Sequence, residues 1–482
     1  MAIDFERASL TDGELTELVE LLRGLIRVKS VNPPGDEILM ARHLEAIFAA
    51  EGIVSTVVEP YPGRGSIVAR LRGDGTDGDA LLLLSHLDVV PAEPGGWSHD
   101  PFAGDLADGY VWGRGAVDMK SVVAMEVQIM RRLARRATAA GLNPATDPIP
   151  GLRRDVIFCS AADEEAGGWH GARWLVENHP EWLRAAGALN EAGGISTTYD
   201  GVRFYPIQVA EKGFVVYKIR VKGRWGHGSV PTPDNAAVLA SQVVARVSEP
   251  GPIRLTEPMK VLLDRAMPHL TPRAAAALAV FQPADGAADA GAPSAAPDPA
   301  LVDATLRDLC DPVLARTISA IIRDTISVGV VRAGVKYNVI PGIAEIEIDC
   351  RTLPGTDEPA MLAELRRRIG EELWARITVE CEQVGPSVQA PLDSPLYRIL
   401  EQVVTDHDPD GVPIPFLAPF ATDAKQLARI GVPTYGFSPL KAKNEDGLLA
   451  LMHADDERVE VEALRFGLPA LWDAVIRFCA AG

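Results

Sequence analysis

The stretch "LLLLSHLDVVP" runs four leucines, Leu81 to Leu84, into a histidine and an aspartate two residues apart, His86 and Asp88, and closes on Pro91. Four consecutive leucines leave no polar face. A strand built from them must be covered on both sides, as in a parallel sheet with helices on each face. His86 and Asp88 then fall at the C-terminal edge of that strand, where open α/β sheets place their ligands.

The neighbouring pattern agrees. Periodicity predicts helices from about Thr11 to Arg27 and Glu37 to Glu51, strands near Ser66–Leu71 and Leu81–Val90, and a long helix from Lys120 to about Ala137. The strand "DVIFCSAAD" and the helix "HGARWLVENHP" follow. Such alternation specifies a doubly wound or mixed α/β sheet flanked by helices. From Gly213 the rhythm becomes strand, helix, two strands, helix, strand, a ferredoxin-like α+β plan. We therefore expect a discontinuous larger domain with a mixed, mostly parallel sheet, residues 1–212 and 386–482, interrupted by a smaller domain at 213–385. Inside the latter, near 250–326, lies a helical, low-complexity insertion; its segment "FQPADGAADAGAPSAAPDPALVD" buries little core and is expected to be a mobile loop. Two domains suit 482 residues, because single cores seldom grow beyond roughly 250–300.

A formal charge of −19 disfavours nucleic acid and anionic membranes as partners and leaves small substrates. The first thirty residues show no basic segment followed by an apolar one, and no apolar stretch is long enough to span a bilayer, so a cytoplasmic protein is expected. Cys159, Cys310, Cys350, Cys381 and Cys479 are scattered without a CxxC pair and read as free thiols. Any metal must then be held by histidine and carboxylate.

Four clusters carry such groups where a strand gives way to a loop: "SHLDVVP", "WGRGAVDMKS", "SAADEEAGG" with "LNEAGG", and "LMHADDERV". Taken singly, each has a bland reading: a structural histidine, a solvated carboxylate, or, for Asp118, a cap on the helix that follows. Together they supply two histidines and at least three carboxylates, a donor set for zinc, cobalt or manganese.

In order and along most of the chain, "SHLDVVPAEPGGWSHDPF…DGYVWGRGAVDMKS", "DEEAGG", "NEAGG", "GHGSVP" and "GFSP…MHADDERV" resemble the two-metal peptidase family of aminoacylase, acetylornithine deacetylase, succinyl-diaminopimelate desuccinylase and bacterial glutamate carboxypeptidase. The resemblance implies a catalytic domain with an inserted lid that also dimerises the protein. It implies two divalent ions, zinc first and cobalt or manganese as alternatives. His86 would bind one, Asp118 would bridge both, Glu191 would complete the first site, and Glu165 and His453 the second. Asp88 would fix the tautomer and orientation of His86. Adjacent glutamates in extended chain face opposite ways, so Glu165 could face metal while Glu164 acts as general base on a bound water. His227 would donate to the oxyanion, and Asn338, Arg351 and Lys212 are the candidates for substrate contact. The remaining histidines fit none of these positions.

The reaction so implied is hydrolysis of an amide next to a free carboxylate, foremost that of an N-acyl amino acid. A carboxypeptidase or dipeptidase on the same machinery is the alternative, and a non-catalytic binding protein on the same fold a further one. The added length in the lid points to aminoacylase-like or carboxypeptidase-like relatives with bulkier acyl groups rather than to the small biosynthetic deacylases.

Overall fold

The computed structural model describes residues 10–281, 298–310, 312–443 and 448–480. They fall into two compact units, one comprising Met1–Val209, Ala390–Phe416 and Thr422–Gly482, the other Ala210–Gln389 and Leu417–Ala421. The expected mobile loop centres on 282–297, outside the described residues. Among the described residues, no helix is long and apolar enough to cross a membrane.

In the first unit the leucine run forms the strand Ala80–His86, buried at every position. It pairs in parallel with Val156–Ala161 and Ala185–Asn190, and Thr434–Gly436 extends the parallel centre beyond Ala185–Asn190. Antiparallel strands Arg64–Leu71 and Ser55–Tyr61 continue one side, and Val202–Glu211 the other. Alternate leucines face opposite ways. Leu82 and Leu84 pack with Leu175 and Leu427, whereas Leu83 lies beside Phe158, whose ring meets Phe48 edge-on at 5.1 Å. Each fully buried leucine contributes roughly 2 kcal/mol, so a one-residue slip of this strand gains nothing and loses its register.

Helix Lys120–Ala139 packs on the sheet, and Asp12–Arg27 packs on that helix. Lys120–Ala139 is buried at each of its first eleven positions, which makes it a core helix rather than an amphipathic one. Asp12–Arg27 begins with a reciprocal cap: Thr11 Oγ1 accepts the Glu14 N–H, and Glu14 accepts the Thr11 N–H at 2.9 Å. Asp118 does not cap the helix that follows it. Met119 occupies that position, no side chain caps the end, and the Asp118–Met119 peptide is cis. The Asp118 carboxylate, uninvolved in capping, meets His86 and His453 instead.

The second unit holds four antiparallel strands in the order Thr325–Ala333, Ile343–Thr352, Gly213–Lys222, Ile377–Gly385. Helices Ala236–Val247 and Glu358–Ile369 cover one face, onto which Val215, Tyr217, Ile219 and Val221 point from alternate positions. This is the strand and helix order of a ferredoxin-like unit. Between its first helix and second strand lie further helices, among them Glu257–Ala266, Pro299–Leu309 and Pro312–Ile321.

Candidate metal centre

Three parallel strands end at one edge of the larger sheet, and each delivers an acidic or imidazole group there. His86 is the last residue of Ala80–His86, Glu164 and Glu165 follow Val156–Ala161, and Glu191 follows Ala185–Asn190. Asp118 and His453 arrive on loops. Two ligand groups result, His86–Asp118–Glu191 and Asp118–Glu165–His453, with the donor atoms of each within 4.8 Å of one another. Asp118 is common to both, and its two oxygens diverge: Oδ1 lies 3.2 Å from His86 Nε2, Oδ2 3.3 Å from His453 Nε2. His453 Nε2 also lies 3.1 Å from Glu165, and His86 Nε2 3.6 Å from Glu191.

The donors fit divalent ions. His86 Nδ1 lies 3.0 Å from the Asp88 carbonyl oxygen, which can only accept. The proton of the neutral ring therefore sits on Nδ1, and the Nε2 lone pair faces the carboxylates, as a metal ligand requires. Three carboxylates converging on two imidazoles are otherwise short of positive charge, and the ionisation equilibria show it. Burial lowers the His86 pKa, but Glu191, Asp118 and Asp88 outweigh it and hold the ring well above its ordinary value. Hydrogen bonds to Asp118 and Glu165 raise His453 to about 10. Burial, and then Asp118 against the opposing pull of His86, carries Glu191 up to about 7. Asp118 is held below the usual carboxylate range, because bonds to His453 and His86 overcome its burial. Burial and the charge of Glu191 drive Glu164 well upward.

Glu164 and Glu165 diverge for a reason other than strand pleating. They open a single 3-10 turn, Glu164–Ala166, entered through Asp163 in a left-handed conformation at φ 70°. Successive side chains of such a turn lie about 120° apart. Asp88 anchors this turn: Oδ1 accepts the Glu164 N–H at 3.1 Å, and Oδ2 accepts the Glu165 N–H at 3.0 Å and Asn32 Nδ2 at 2.9 Å. Its carboxylate stands 3.5 Å from His86 Nδ1, farther than its own carbonyl. Asp88 thus grips the ring mainly through its backbone and the glutamate turn through its side chain.

Behind Asp88 lies a buried network that sequence reasoning missed. Arg64 pairs with Glu37 at 2.6 Å and Asp163 at 3.3 Å and donates to Asn32 Oδ1 at 3.0 Å, while His170 N donates to Asp163. Neither Asn32, in "SVNPPGD", nor Arg64, on a strand, carries a local signal, since their partners lie up to 131 residues away.

The remaining candidates lie in the second unit. His227 is exposed on a short strand paired with Val339–Ile340. Ser229 N donates to its Nδ1 at 3.2 Å, so in the neutral ring Nε2 carries the proton and points away as a donor. Arg351 clasps Asp349 at 2.9 Å and lies over the Phe214 ring, on the face opposite the helices. Asn338 Oδ1 is buried and finds no partner among the described residues. Lys212 departs from the expectation of a substrate contact: it is fully buried, and Nζ donates to Ala320 O, Arg323 O and Thr325 Oγ1 at 2.8–3.0 Å. All three of its donors are used within the chain, at the end of the helix Pro312–Ile321.

Residues 82–476 match the profile of peptidase family M20/M25/M40. The chain is 26% identical over 479 residues to the N-fatty-acyl-amino acid synthase/hydrolase PM20D1 of Xenopus tropicalis, with 94% of this chain and 84% of that one covered. It is 27% identical over 452 residues to Aminoacylase-1 of Homo sapiens, covering 92% and 90%. Among solved structures, the M20 family metallo-carboxypeptidase Sso-CP2 from Sulfolobus solfataricus superposes with a TM-score of 0.64 at 15% identity, over 96% of this chain and 99% of that one. Human carnosine dipeptidase 1 gives 0.62 at 16%, over 97% and 96%. At such identities the structural likeness establishes the fold.

Proposed function

We propose, for a chain that belongs to peptidase family M20/M25/M40 and is a metal-dependent hydrolase, that its reaction is hydrolysis of the amide bond of an N-acyl amino acid. The observation that carries the reading is the pair of ligand groups sharing Asp118 beside an additional half-buried glutamate, Glu164. The N-acyl preference draws on the names of the relatives N-fatty-acyl-amino acid synthase/hydrolase PM20D1 and Aminoacylase-1 and on the helical insertion of the second unit.

Divalent ions held by His86, Asp118, Glu191, Glu165 and His453 would polarise the amide carbonyl and acidify water; zinc is our first choice, cobalt and manganese the alternatives. Glu164 takes the proton of the attacking water and hands it to the departing amine nitrogen, a task for a carboxyl whose pKa burial and the charge of Glu191 push upward. Asp88 holds the Glu164 turn in register, because both N–H groups at its start end on the Asp88 carboxylate. His227 donates Nε2–H to the carbonyl oxygen as it becomes anionic. Arg351 offers a planar fork to the substrate carboxylate and Asn338 an amide beside it.

The second unit serves as lid and dimerisation surface in this reading. Val335 and Tyr337 are 94% and 96% exposed, and Thr325–Ala333 is the terminal strand of its sheet, features that suit a second copy of the chain. Five free cysteines agree with a cytoplasmic setting. A second reading, carboxypeptidase or dipeptidase, is kept because a metallo-carboxypeptidase and a dipeptidase share the fold. The test is amine release from a panel of N-acyl amino acids and unblocked dipeptides, on protein stripped with chelator and reloaded with zinc, cobalt or manganese. Cleavage of the acyl series supports the proposal. Cleavage confined to dipeptides replaces it with the second reading.

A further inference from the structure

Glu457, four residues beyond His453, is completely buried, yet it touches no candidate ligand atom. Its Oε1 accepts the N–H groups of Val117 at 2.8 Å and Asp118 at 3.0 Å. Its Oε2 accepts the Gly115 N–H at 3.0 Å and Arg114 Nη1 at 2.7 Å, and its carbonyl accepts the Gly113 N–H. Arg114, itself buried and lying under the Trp97 ring, reaches the other way: Nη1 donates to Ala454 O at 3.0 Å and Nη2 to His453 O at 3.3 Å. One ion pair therefore stitches segment 113–118, which ends in Asp118, to segment 453–457, which begins with His453.

The two ligand groups need this stitch unequally. His86 and Glu191 stand at the ends of adjacent parallel strands, and the His86 ring is buried with its Nδ1 on the Asp88 carbonyl. His453 sits on a loop in a left-handed conformation, φ 61°, with a half-exposed ring. Its carbonyl is held by Arg114, which braces the backbone of this left-handed residue.

We propose that the Arg114–Glu457 pair is a positioning device that fixes Asp118 relative to His453 and so sets the affinity of the Asp118–Glu165–His453 group for its ion, separately from the His86–Asp118–Glu191 group. The inference rests on the metal-binding reading above. Arg114→Lys keeps the charge beside Glu457, but a point donor cannot span Glu457 and two carbonyls. Glu457→Gln keeps the volume and turns a donor toward backbone N–H groups.

The test is titration of the chelator-stripped full chain with zinc, followed by calorimetry and elemental analysis, with melting of the ion-free proteins as a control. The parent should bind two ions per chain. Arg114→Lys should weaken one of them roughly 10- to 100-fold, an effect typical of groups that support a ligand, and leave the other within about three-fold. Glu457→Gln should weaken the same ion at least as much; if it does not fold, Arg114→Lys decides alone. A merely structural role would lower the melting temperature without changing the ratio of the two affinities, and that result overturns the inference. So does equal loss at both sites. A parent that binds fewer than two ions overturns the metal reading and this inference with it, whereas two ions in the parent and unchanged affinities in Arg114→Lys overturn the inference alone.

Discussion

Asp88→Asn separates two roles that the Asp88 side chain and backbone divide between them. The His86 ring is held by the Asp88 carbonyl at 3.0 Å, which asparagine retains, so binding at His86–Asp118–Glu191 should survive. The glutamate turn is held by the carboxylate, which asparagine halves. If the amide nitrogen replaces Oδ1, the Glu164 N–H loses its acceptor; if it replaces Oδ2, Glu165 N–H and Asn32 Nδ2 both do. The better orientation still loses one charge-assisted bond and leaves a donor facing a buried N–H, a destabilisation of about 2–4 kcal/mol. Freed of that anchor, Glu164 need move only about 1 Å to cost on the order of 100-fold in kcat. Urea unfolding and steady-state kinetics on zinc-reloaded protein read both quantities. Stability within about 0.5 kcal/mol of the parent would refute the anchoring role, as would kcat within about three-fold.

Glu164→Gln should lower kcat by about 100- to 10,000-fold while both ions stay bound, and retained turnover would remove Glu164 as the base. His453→Ala should reduce the zinc count per chain from its parental value by elemental analysis, and an unchanged count would exclude that ligand. Burial lowers the Lys212 pKa to about 7 in the folded chain, against about 10.4 when unfolded, so between those values the unfolded chain binds more protons and stability rises with pH. Lys212→Met should flatten that rise between about pH 7 and 10, and an equally steep rise in the variant would contradict it. Mixing Glu164→Gln with His227→Ala protein should restore activity if His227 acts across a dimer; with subunit exchange verified, no recovery would assign it to its own chain.

Much of the fold was legible because it rests on local periodicity. The leucine run, the helix from Lys120 and the alternating strand from Gly213 each declare their burial pattern in the sequence, and observed boundaries differ from expectation by a few residues. The strand expected to reach Val90 stops at His86, because the chain must turn there to bring the Asp88 carbonyl back to the ring. Contacts between distant segments were not legible. Asn32, Arg64 and Glu37 meet Asp163 only in three dimensions, Lys212 looks like a cation for substrate until the carbonyls around it are seen, and Arg114 and Glu457 lie inside quoted motifs without announcing that they bind each other. The divergence of Glu164 and Glu165 was anticipated, but from strand pleating, whereas a tight turn entered through left-handed Asp163 produces it.

The most direct test of the account is a crystal of the zinc-loaded protein measured at the zinc absorption edge. Two anomalous peaks are predicted, one among His86, Asp118 and Glu191, the other among Asp118, Glu165 and His453. A single peak, or zinc bound away from these side chains, would contradict a two-metal centre bridged by Asp118.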